Sequence, residues 1–241
     1  MIEFKNLYKK FGEQPVIKNL SLTIEDGEIF FILGITGAGK TVLIRMLVGL
    51  LKPDRGEIWL DGKRVDRMGE EELKELRRKC GLIFQAPTLF DSLTIFENIA
   101  FGMRRHFSFS ESEISARVNG LLELVHLDRD LSKKFPEELS YGQQKRVSLA
   151  RAIALEPKCL LYDEPTTGLD PFTSRQISSL ILELRQKLSL TSIVVSHDLE
   201  SMRMVSDRVG LLWDGDFSVI AKPKEFEQSD NPFLRRFLEA S

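Results

Sequence analysis

Two hydrophobic patterns divide the sequence, and the first is an alternation of apolar and polar positions near the N-terminus. It runs through Ile2–Leu7 and again through Leu20–Ile24. Alternation at a period of two is typical of strands that bury one face and expose the other, as in antiparallel sheets. Glu57–Leu60, followed by Asp61-Gly62, predicts a further strand that ends in a tight turn. The N-terminal part is therefore expected to form an antiparallel sheet.

The second pattern consists of short, almost wholly apolar runs, namely Ile29–Leu33, Cys159–Tyr162, Ser192–Val195 and Val209–Trp213. Such runs predict strands that are buried on both faces of a parallel sheet. A helical stripe lies between two of them and consists of Ile177, Leu180, Ile181, Leu184 and Leu188. Buried strands that alternate with amphipathic helices indicate an α/β core.

The region from Pro87 to Leu139 shows no strand pattern, and its clearest feature is an amphipathic stripe that includes Ile114, Val118 and Leu122. We interpret it as a helical insertion in the α/β core. The tail predicts a short terminal helix that docks on a surface, because Phe233, Leu234, Phe237 and Leu238 recur at helical spacing. The predicted organisation is one domain over residues 1–241, with a core of 1–86 and 146–221, a helical subdomain of 87–145 and a C-terminal extension of 222–241.

Composition narrows the class of protein. Lys and Arg number 34 against 36 Asp and Glu, so the net charge of −2 gives no electrostatic reason to expect nucleic acid as a partner. No apolar run reaches the roughly 18 residues of a membrane span, and no signal-peptide pattern is visible at the N-terminus. Cys80 and Cys159 lack metal-site spacing, so neither a disulfide scaffold nor a zinc site is expected, and a reducing cytoplasm is the predicted setting.

A glycine-rich segment carries the strongest chemical signal. Gly34–Thr41 fits the pattern G-x-x-x-x-G-K-[ST], follows an apolar strand and opens a helical run. Glycines let successive backbone N–H groups face phosphate oxygens at a helix N-terminus. Lys40 is expected to contact the β- and γ-phosphates, and the Thr41 hydroxyl is expected to ligate Mg²⁺.

Polar residues end two of the predicted parallel strands. Asp163 and Glu164 follow one strand, and His197 follows another. Because parallel strands end at one sheet edge, these side chains are expected near the phosphates. Asp163 would hold Mg²⁺ through water, Glu164 would polarise the attacking water, and His197 would contact the γ-phosphate. A solvated turn before Pro165 and a structural histidine are the competing interpretations, which the glycine-rich segment disfavours.

Ser140 precedes a third helical run. Its hydroxyl suits a helix N-cap, and an exposed helix N-terminus with a hydroxyl and a glycine also suits an anion. The residues alone leave both interpretations open.

Taken together, these motifs resemble those of an ABC-transporter ATPase over nearly the whole chain. Gly34–Thr41 resembles the Walker A motif, Leu160–Asp163 the Walker B motif, Leu139–Gln143 the signature motif and Gly168–Asp170 the D-loop. The resemblance implies an α/β P-loop NTPase fold with an antiparallel β subdomain, a parallel-sheet core and an inserted helical subdomain. It also implies an ATPase with ATP and Mg²⁺ as cofactors.

The resemblance assigns three sets of site residues. The catalytic set is Glu164, His197, Gln85 of the Q-loop, and Lys40. The nucleotide set is Phe11, which would stack on adenine, with Gly34, Ile35, Thr36, Gly37, Ala38, Gly39, Lys40, Thr41, Val42, Ser140, Gly142, Gln143 and Asp170. The metal set is Thr41, Gln85 and Asp163.

The resemblance further implies a head-to-tail dimer of two copies, in which each ATP contacts the P-loop of one and Ser140 and Gly142 of the other. The dimer would drive an integral membrane permease from the cytoplasmic face of the inner (plasma) membrane, as a peripheral subunit. Phe90, Phe96 and Phe101 would form the permease-docking surface or the core of the helical subdomain, and we expect some of each.

Two segments, residues 89–100 and 231–238, are similar to cassettes of MCE-type phospholipid transporters, which implies an MCE-domain or other substrate-binding partner. Polar amino-acid importers share the first segment and are the alternative. A remote alternative is an ABC ATPase that acts on DNA or ribosomes, although only about 100 residues separate Lys40 from Ser140, too few for a long coiled coil. One residue departs from the family pattern: Tyr141 replaces the first glycine of Leu-Ser-Gly-Gly-Gln.

Overall fold

The computed structural model describes residues 1–240, and Ser241, the last residue of the predicted extension, lies outside them. Within this range the strands are β1 (Ile2–Phe11), β2 (Gln14–Ile24), β3 (Ile29–Leu33), β4 (Arg55–Leu60), β5 (Lys63–Arg64), β6 (Cys80–Ile83), β7 (Cys159–Asp163), β8 (Thr191–Ser196), β9 (Arg208–Trp213) and β10 (Asp216–Ala221). The helices are α1 (Lys40–Leu47), α2 (Glu70–Lys79), α3 (Ile95–His106), α4 (Glu111–Leu124), α5 (Tyr141–Ile153), α6 (Pro171–Leu188), α7 (Leu199–Val205), α8 (Pro223–Glu227) and α9 (Pro232–Ala240). Short 3-10 helices cover Val65–Arg67, Arg129–Lys133 and Pro136–Glu138.

The strands form two sheets. β1 pairs antiparallel with β2 and β4, and β4 pairs antiparallel with β5. The larger sheet has the order β10-β9-β3-β8-β7-β6, in which β6, β7, β8, β3 and β9 are parallel and only β10 is antiparallel. The predicted antiparallel N-terminal sheet and parallel core are therefore both confirmed.

The parallel sheet is buried on both faces, and β3 shows how its sequence achieves this. Ile29, Phe31 and Leu33 belong to one hydrophobic cluster, which includes residues of α3 to α6. Phe30 and Ile32 belong to another, which includes residues of β1, β2, α1 and α2. Because successive side chains of a strand point to opposite faces, a wholly apolar strand is what two packed faces require.

Helices occupy the predicted helical region. α3 begins after Thr94 and α4 begins after Ser110, and each N-cap hydroxyl accepts a backbone N–H from a glutamate three residues later. The glutamate side chains bond back to the cap residues, which completes capping boxes. The apolar faces of both helices join the cluster that covers the parallel sheet.

The predicted stripe on α6 is confirmed over Ile177–Leu184 and is wrong at its last member. Ile177, Leu180, Ile181 and Leu184 are buried, whereas Leu188 is 41% exposed. The helix ends at Leu188, and the next residue adopts a left-handed conformation that turns the chain away. The last side chain therefore projects beyond the packed face.

The C-terminal helix α9 docks on the chain's own core. Leu234 and Phe237 are buried and belong to the same cluster as β9 residues. The Asn231 amide donates to the Ser218 carbonyl at 2.9 Å, and the rings of Phe233 and Trp213 lie 5.3 Å apart. The predicted docking surface is thus the β9–β10 region.

The two cysteines face each other across β6 and β7. Cys80 and Cys159 are register partners, are both buried, and have their sulfur atoms 3.1 Å apart as free thiols. The Cys159 thiol and burial raise the pKa of the Cys80 thiol well above its ordinary value. This proximity could not be predicted from their separation in sequence.

Candidate active site

The glycine-rich segment forms the loop between β3 and α1. Gly37 and Gly39 adopt φ values of +84° and +101°, which side chains with a Cβ rarely adopt. At Gly39 a Cβ would also lie 3.0 Å from the side chains of Val16 and Ile17. The loop thus delivers Lys40 as the first residue of α1, at the end of the helix where N–H groups attract anions.

Strand register brings the other polar residues to this loop. Leu33 of β3 is the register partner of Ser196 on β8, and Asp163 of β7 is the partner of Val195 on β8. The three strands therefore end together, and the residues that follow them converge at one edge. This is the edge that was predicted from the parallel pattern.

Thr41 and Asp163 meet across this edge. The Thr41 hydroxyl donates to a carboxylate oxygen of Asp163 at 3.0 Å. Burial raises the pKa of Asp163, the Thr41 bond partly opposes this, and the negative charge of Glu164 raises the pKa further. A cation between the two side chains and a phosphate would therefore stabilise the partly desolvated negative charge of Asp163.

Glu164 is the most connected carboxylate of the site. It accepts hydrogen bonds from Ser196 Oγ at 3.0 Å and Thr167 Oγ1 at 3.2 Å, and its Oε2 lies 3.0 Å from His197 Nδ1. Its other oxygen lies 3.5 Å from Lys40 Nζ. Its backbone has φ of +52°, a strained value for a non-glycine residue, and backbone strain of this kind clusters at functional sites.

These residues line one cleft of about 560 Å³, named here the P-loop cleft. It gathers the predicted residues Phe11, Thr36, Gly37, Ala38, Gly39, Lys40, Thr41, Val42, Gln85, Asp163, Glu164 and His197. Gly34 and Ile35 were also predicted but lie outside this lining, and their carbonyls accept hydrogen bonds from Lys40 Nζ at 2.7 and 3.2 Å. Val16, Arg45 and Thr167 line the cleft without having been predicted.

The remaining predicted residues lie in a second cleft, named here the signature cleft. It contains the predicted residues Ser140, Gly142, Gln143 and Asp170, together with Tyr141 and Gly168. The predicted nucleotide contacts are thus divided between two clefts on one chain.

Helix caps build the signature cleft. Ser140 Oγ accepts from the Gln143 backbone N–H at 3.3 Å, and the Gln143 side chain accepts from the Ser140 N–H at 2.9 Å, so the N-cap interpretation of Ser140 is confirmed. The anion-site interpretation stays a prediction. Asp170 caps α6 through the Thr173 N–H at 3.0 Å, and Thr173 lowers the pKa of this carboxylate.

The Gln85 carbonyl connects the two clefts. It accepts hydrogen bonds from the Tyr141 hydroxyl at 3.1 Å and from Lys145 Nζ, both on α5. Lys145 is only 2% exposed, and burial lowers its pKa to about 8, while the charge of Glu164 acts in the opposite direction. Sequence reasoning missed Lys145, because a lysine next to arginine on a helix has the pattern of a solvated face.

The predicted phenylalanine surface is mixed. Phe90 and Phe101 are 45% and 47% exposed, with ring centroids 5.1 Å apart. Phe96 packs against the core. The expectation of partial burial is confirmed, and the docking role stays a prediction.

A comparison with protein families identifies the chain. The family model described as ABC transporter matches residues 17–167, which include the P-loop, the Walker B strand end and the signature motif. The chain belongs to the ABC transporter family. The resemblance deduced from the motifs is thereby confirmed.

Two curated relatives place this ABC cassette more closely. It is 44% identical over 218 residues to the methionine import ATP-binding protein MetN of Carboxydothermus hydrogenoformans. The matched region covers 89% of this chain and 64% of that protein. It is 39% identical over 239 residues to the intermembrane phospholipid transport system ATP-binding protein MlaF of Haemophilus influenzae. Here the matched region covers 99% of this chain and 90% of that protein. The chain spans less than two thirds of the MetN sequence and is related to MlaF over nearly its whole length.

A solved structure supports the same assignment. The dimeric post-hydrolysis state of the ATP-binding cassette MJ0796, bound to ADP and Pi, has a TM-score of 0.84 at 33% identity and covers 92% of this chain and 99% of that one. The predicted P-loop NTPase fold and the ATPase class are confirmed. The chain is a nucleotide-binding ABC ATPase. Within residues 1–240, the helices lack the combination of length and apolar character that a membrane crossing requires.

Proposed function

We propose that this ATPase works as a head-to-tail pair of copies that sandwich two ATP molecules and drive a membrane permease. The division of the predicted nucleotide contacts between the P-loop cleft and the signature cleft carries the proposal. Neither cleft contains the whole set, so a complete site needs a P-loop cleft from one copy and a signature cleft from another. The dimeric MJ0796 cassette offers a precedent for pairing.

The P-loop cleft performs the hydrolysis. Lys40 turns from the Gly34 and Ile35 carbonyls to the β- and γ-phosphates, and its charge stabilises the charge that develops there. Once Lys40 has moved to the phosphates, Glu164 accepts a hydrogen bond from the attacking water. His197, which lies beside Glu164, contacts the γ-phosphate. Phe11, 47% exposed at the rim, stacks on adenine.

The donor set at Thr41 and Asp163 fits Mg²⁺. A hydroxyl and a carboxylate 3.0 Å apart supply the few oxygen ligands that Mg²⁺ takes from protein when phosphates supply the others. Among the described residues there is no group of three or more His, Cys, Asp or Glu suited to a metal, so the protein alone provides no cage. Bound Mg²⁺ would neutralise phosphate charge, with Thr41, Asp163 and Gln85 around it.

The helical segment, proposed as a subdomain over residues 87–145, presents Phe90 and Phe101 to the permease. The chain then sits peripherally at the cytoplasmic face of the inner membrane. We favour phospholipid transport of the MCE type, because MlaF is related over 99% of this chain and 90% of its own length. Import of an amino acid is the second candidate, because the methionine import protein MetN is the more identical of the two relatives.

Purification of the tagged chain from its own membranes tests the proposal. We expect an integral membrane subunit and an MCE-domain protein to co-purify, identified by mass spectrometry, and the complex to hydrolyse ATP. The matched control is Lys40→Ala, which should retain the partners and lose turnover. A periplasmic amino-acid-binding protein would favour the second candidate. Equal turnover in the control, or no membrane subunit, would contradict the proposal.

A further inference from the structure

Two side chains of α5 hold one backbone atom of the Q-loop. The Tyr141 hydroxyl, 3.1 Å away, and Lys145 Nζ both donate to the carbonyl of Gln85. Tyr141 and Lys145 are four residues apart, so they lie on the same helical face. The Lys145 ammonium also lies 5.5 Å from the centroid of the Tyr141 ring. We call this arrangement the Gln85 clamp.

The burial of Lys145 makes the clamp more than a surface contact. A lysine that is 2% exposed pays for desolvation, and it needs a strong acceptor to remain charged. The Gln85 carbonyl provides that acceptor, and the Glu164 carboxylate adds a favourable charge. Displacement of the Q-loop backbone would remove the acceptor and leave the ammonium buried and unpaired. The position of Gln85 is therefore strongly coupled to the position of α5.

The clamp ends at the part of α5 that lines the signature cleft. Ser140 caps this helix, and Tyr141 and Gly142 are its first residues. The Tyr141 ring also lies against the D-loop, since a Cβ at Gly168 would be 3.6 Å from it. The side chain of Gln85, at the other end of the linkage, lines the P-loop cleft. One connected set of atoms therefore spans both clefts.

We propose that Tyr141 and Lys145 are positioning residues. Through them, nucleotide bound in the P-loop cleft of one copy fixes the position of the signature cleft on that same copy. That signature cleft in turn contacts the nucleotide bound by the partner copy. The proposal rests on the proposed ATP-sandwich dimer. A glycine at position 141 lacks the hydroxyl, so the departure from the family pattern adds one tie between the Q-loop and α5. The two nucleotide sites should therefore be coupled more strongly than they would be with glycine at position 141.

Tyr141→Phe isolates the hydroxyl and keeps the ring. The measurements are ATP affinity of the separate chain, ATP-driven dimerisation in a Glu164→Gln background, and the Hill coefficient of hydrolysis by the intact complex. We expect affinity within about twofold of the parent, dimerisation weakened about 2- to 12-fold, as for one lost hydrogen bond, and a lower Hill coefficient. Tyr8→Phe, on β1, is the matched control and should match the parent in all three.

Lys145→Met tests the second donor, and it should weaken dimerisation further while thermal unfolding verifies that the chain is folded. If it fails to fold, Tyr141→Phe on the 40% exposed Tyr141 still provides the test. Dimerisation and a Hill coefficient equal to the parent in Tyr141→Phe would overturn the clamp. The clamp would also be overturned if ATP affinity of the separate chain fell by the same factor as dimerisation, because the substitution would then act on the P-loop cleft of its own copy. Absence of ATP-driven dimers in the parent itself would instead overturn the proposed function.

Discussion

The carboxylate of Asp163 is half-buried beside a second carboxylate, so its ionised form is held at a cost. Because burial and Glu164 raise its pKa, Asp163→Asn should leave the nucleotide-free chain at least as stable toward urea as the parent. ATP turnover should fall about 10- to 100-fold, as for partners that orient a metal site. The control is Asp130→Asn on the surface, and a clear loss of stability in Asp163→Asn alone would contradict the argument.

Glu164 is the residue proposed to activate water. Glu164→Gln keeps the shape of the side chain and removes its basicity, so ATP should still bind while turnover falls about 10²- to 10⁴-fold. Equilibrium binding and steady-state hydrolysis measure the two effects. Glu156→Gln, whose parent side chain pairs with Arg117 on the surface, is the matched control and should hydrolyse ATP normally. Retention of most turnover in Glu164→Gln would remove this residue from its assigned role.

Lys145 gives a pH prediction whose sign follows from its lowered pKa. An unfolded lysine keeps its proton up to about pH 10.4, whereas the folded chain releases the Lys145 proton near pH 8. Between these values the folded state binds fewer protons, so this residue makes stability rise with pH. Urea unfolding at pH 7 and pH 9.5 should show the parent gaining stability relative to Lys145→Met. A difference that does not depend on pH would contradict the lowered pKa.

At the residue scale, the residues of the P-loop cleft could be predicted from the sequence, whereas the contacts that join this cleft to α5 could not. Gly34–Thr41, Glu164 and His197 follow strands, and Asp163 is the last residue of one. Strand ends are visible in the sequence as abrupt changes from apolar to polar residues. The Gln85 clamp was not predicted, because it depends on a helix packing over a loop some 60 residues away. Burial of a charged side chain depends on tertiary packing that no local pattern records.

At the element scale, α9 is the most direct test of packing. Phe237 is 3% exposed within the main core cluster, so Phe237→Ala should lower the free energy of unfolding by about 3–5 kcal/mol. Arg236→Ala, at the exposed neighbouring position, should change it by less than about 0.5 kcal/mol. Urea denaturation measures both. Equal effects would mean that α9 does not pack on β9 and β10 in solution.

The strands that were not predicted explain what the hydrophobic pattern lacks. β6 is only four residues long and contains Gly81, where a Cβ would lie 2.4 Å from a Leu160 side-chain atom. Glycine at that point permits close packing but weakens the strand signal. β10 is an edge strand in which no residue is buried, so it lacks the apolar run that marks β3, β7, β8 and β9. Strands that are buried on both faces are predictable, because burial dictates their composition.

At the scale of the whole molecule, the two clefts predict complementation between defective copies. A chain with Lys40→Ala lacks a working P-loop cleft, and a chain with Ser140→Arg lacks a working signature cleft. Each should be inactive alone, but in a mixed pair one site combines the intact clefts of both copies. We expect turnover to reappear on mixing, up to about a quarter of the parent value if pairing is random. A mixture of two Lys40→Ala preparations is the control, and no recovery in the mixed pair would favour sites formed within one chain.

The paired thiols of β6 and β7 have a practical consequence for observing such pairs. Cys80 and Cys159 are 6% and 2% exposed, and the raised pKa of Cys80 disfavours its reactive thiolate. A cysteine introduced on the surface would therefore be the first to react with a maleimide dye, without removal of either native residue. Because the native cysteines should take up little dye, a single fluorescent label at the introduced cysteine can follow the approach and separation of two copies.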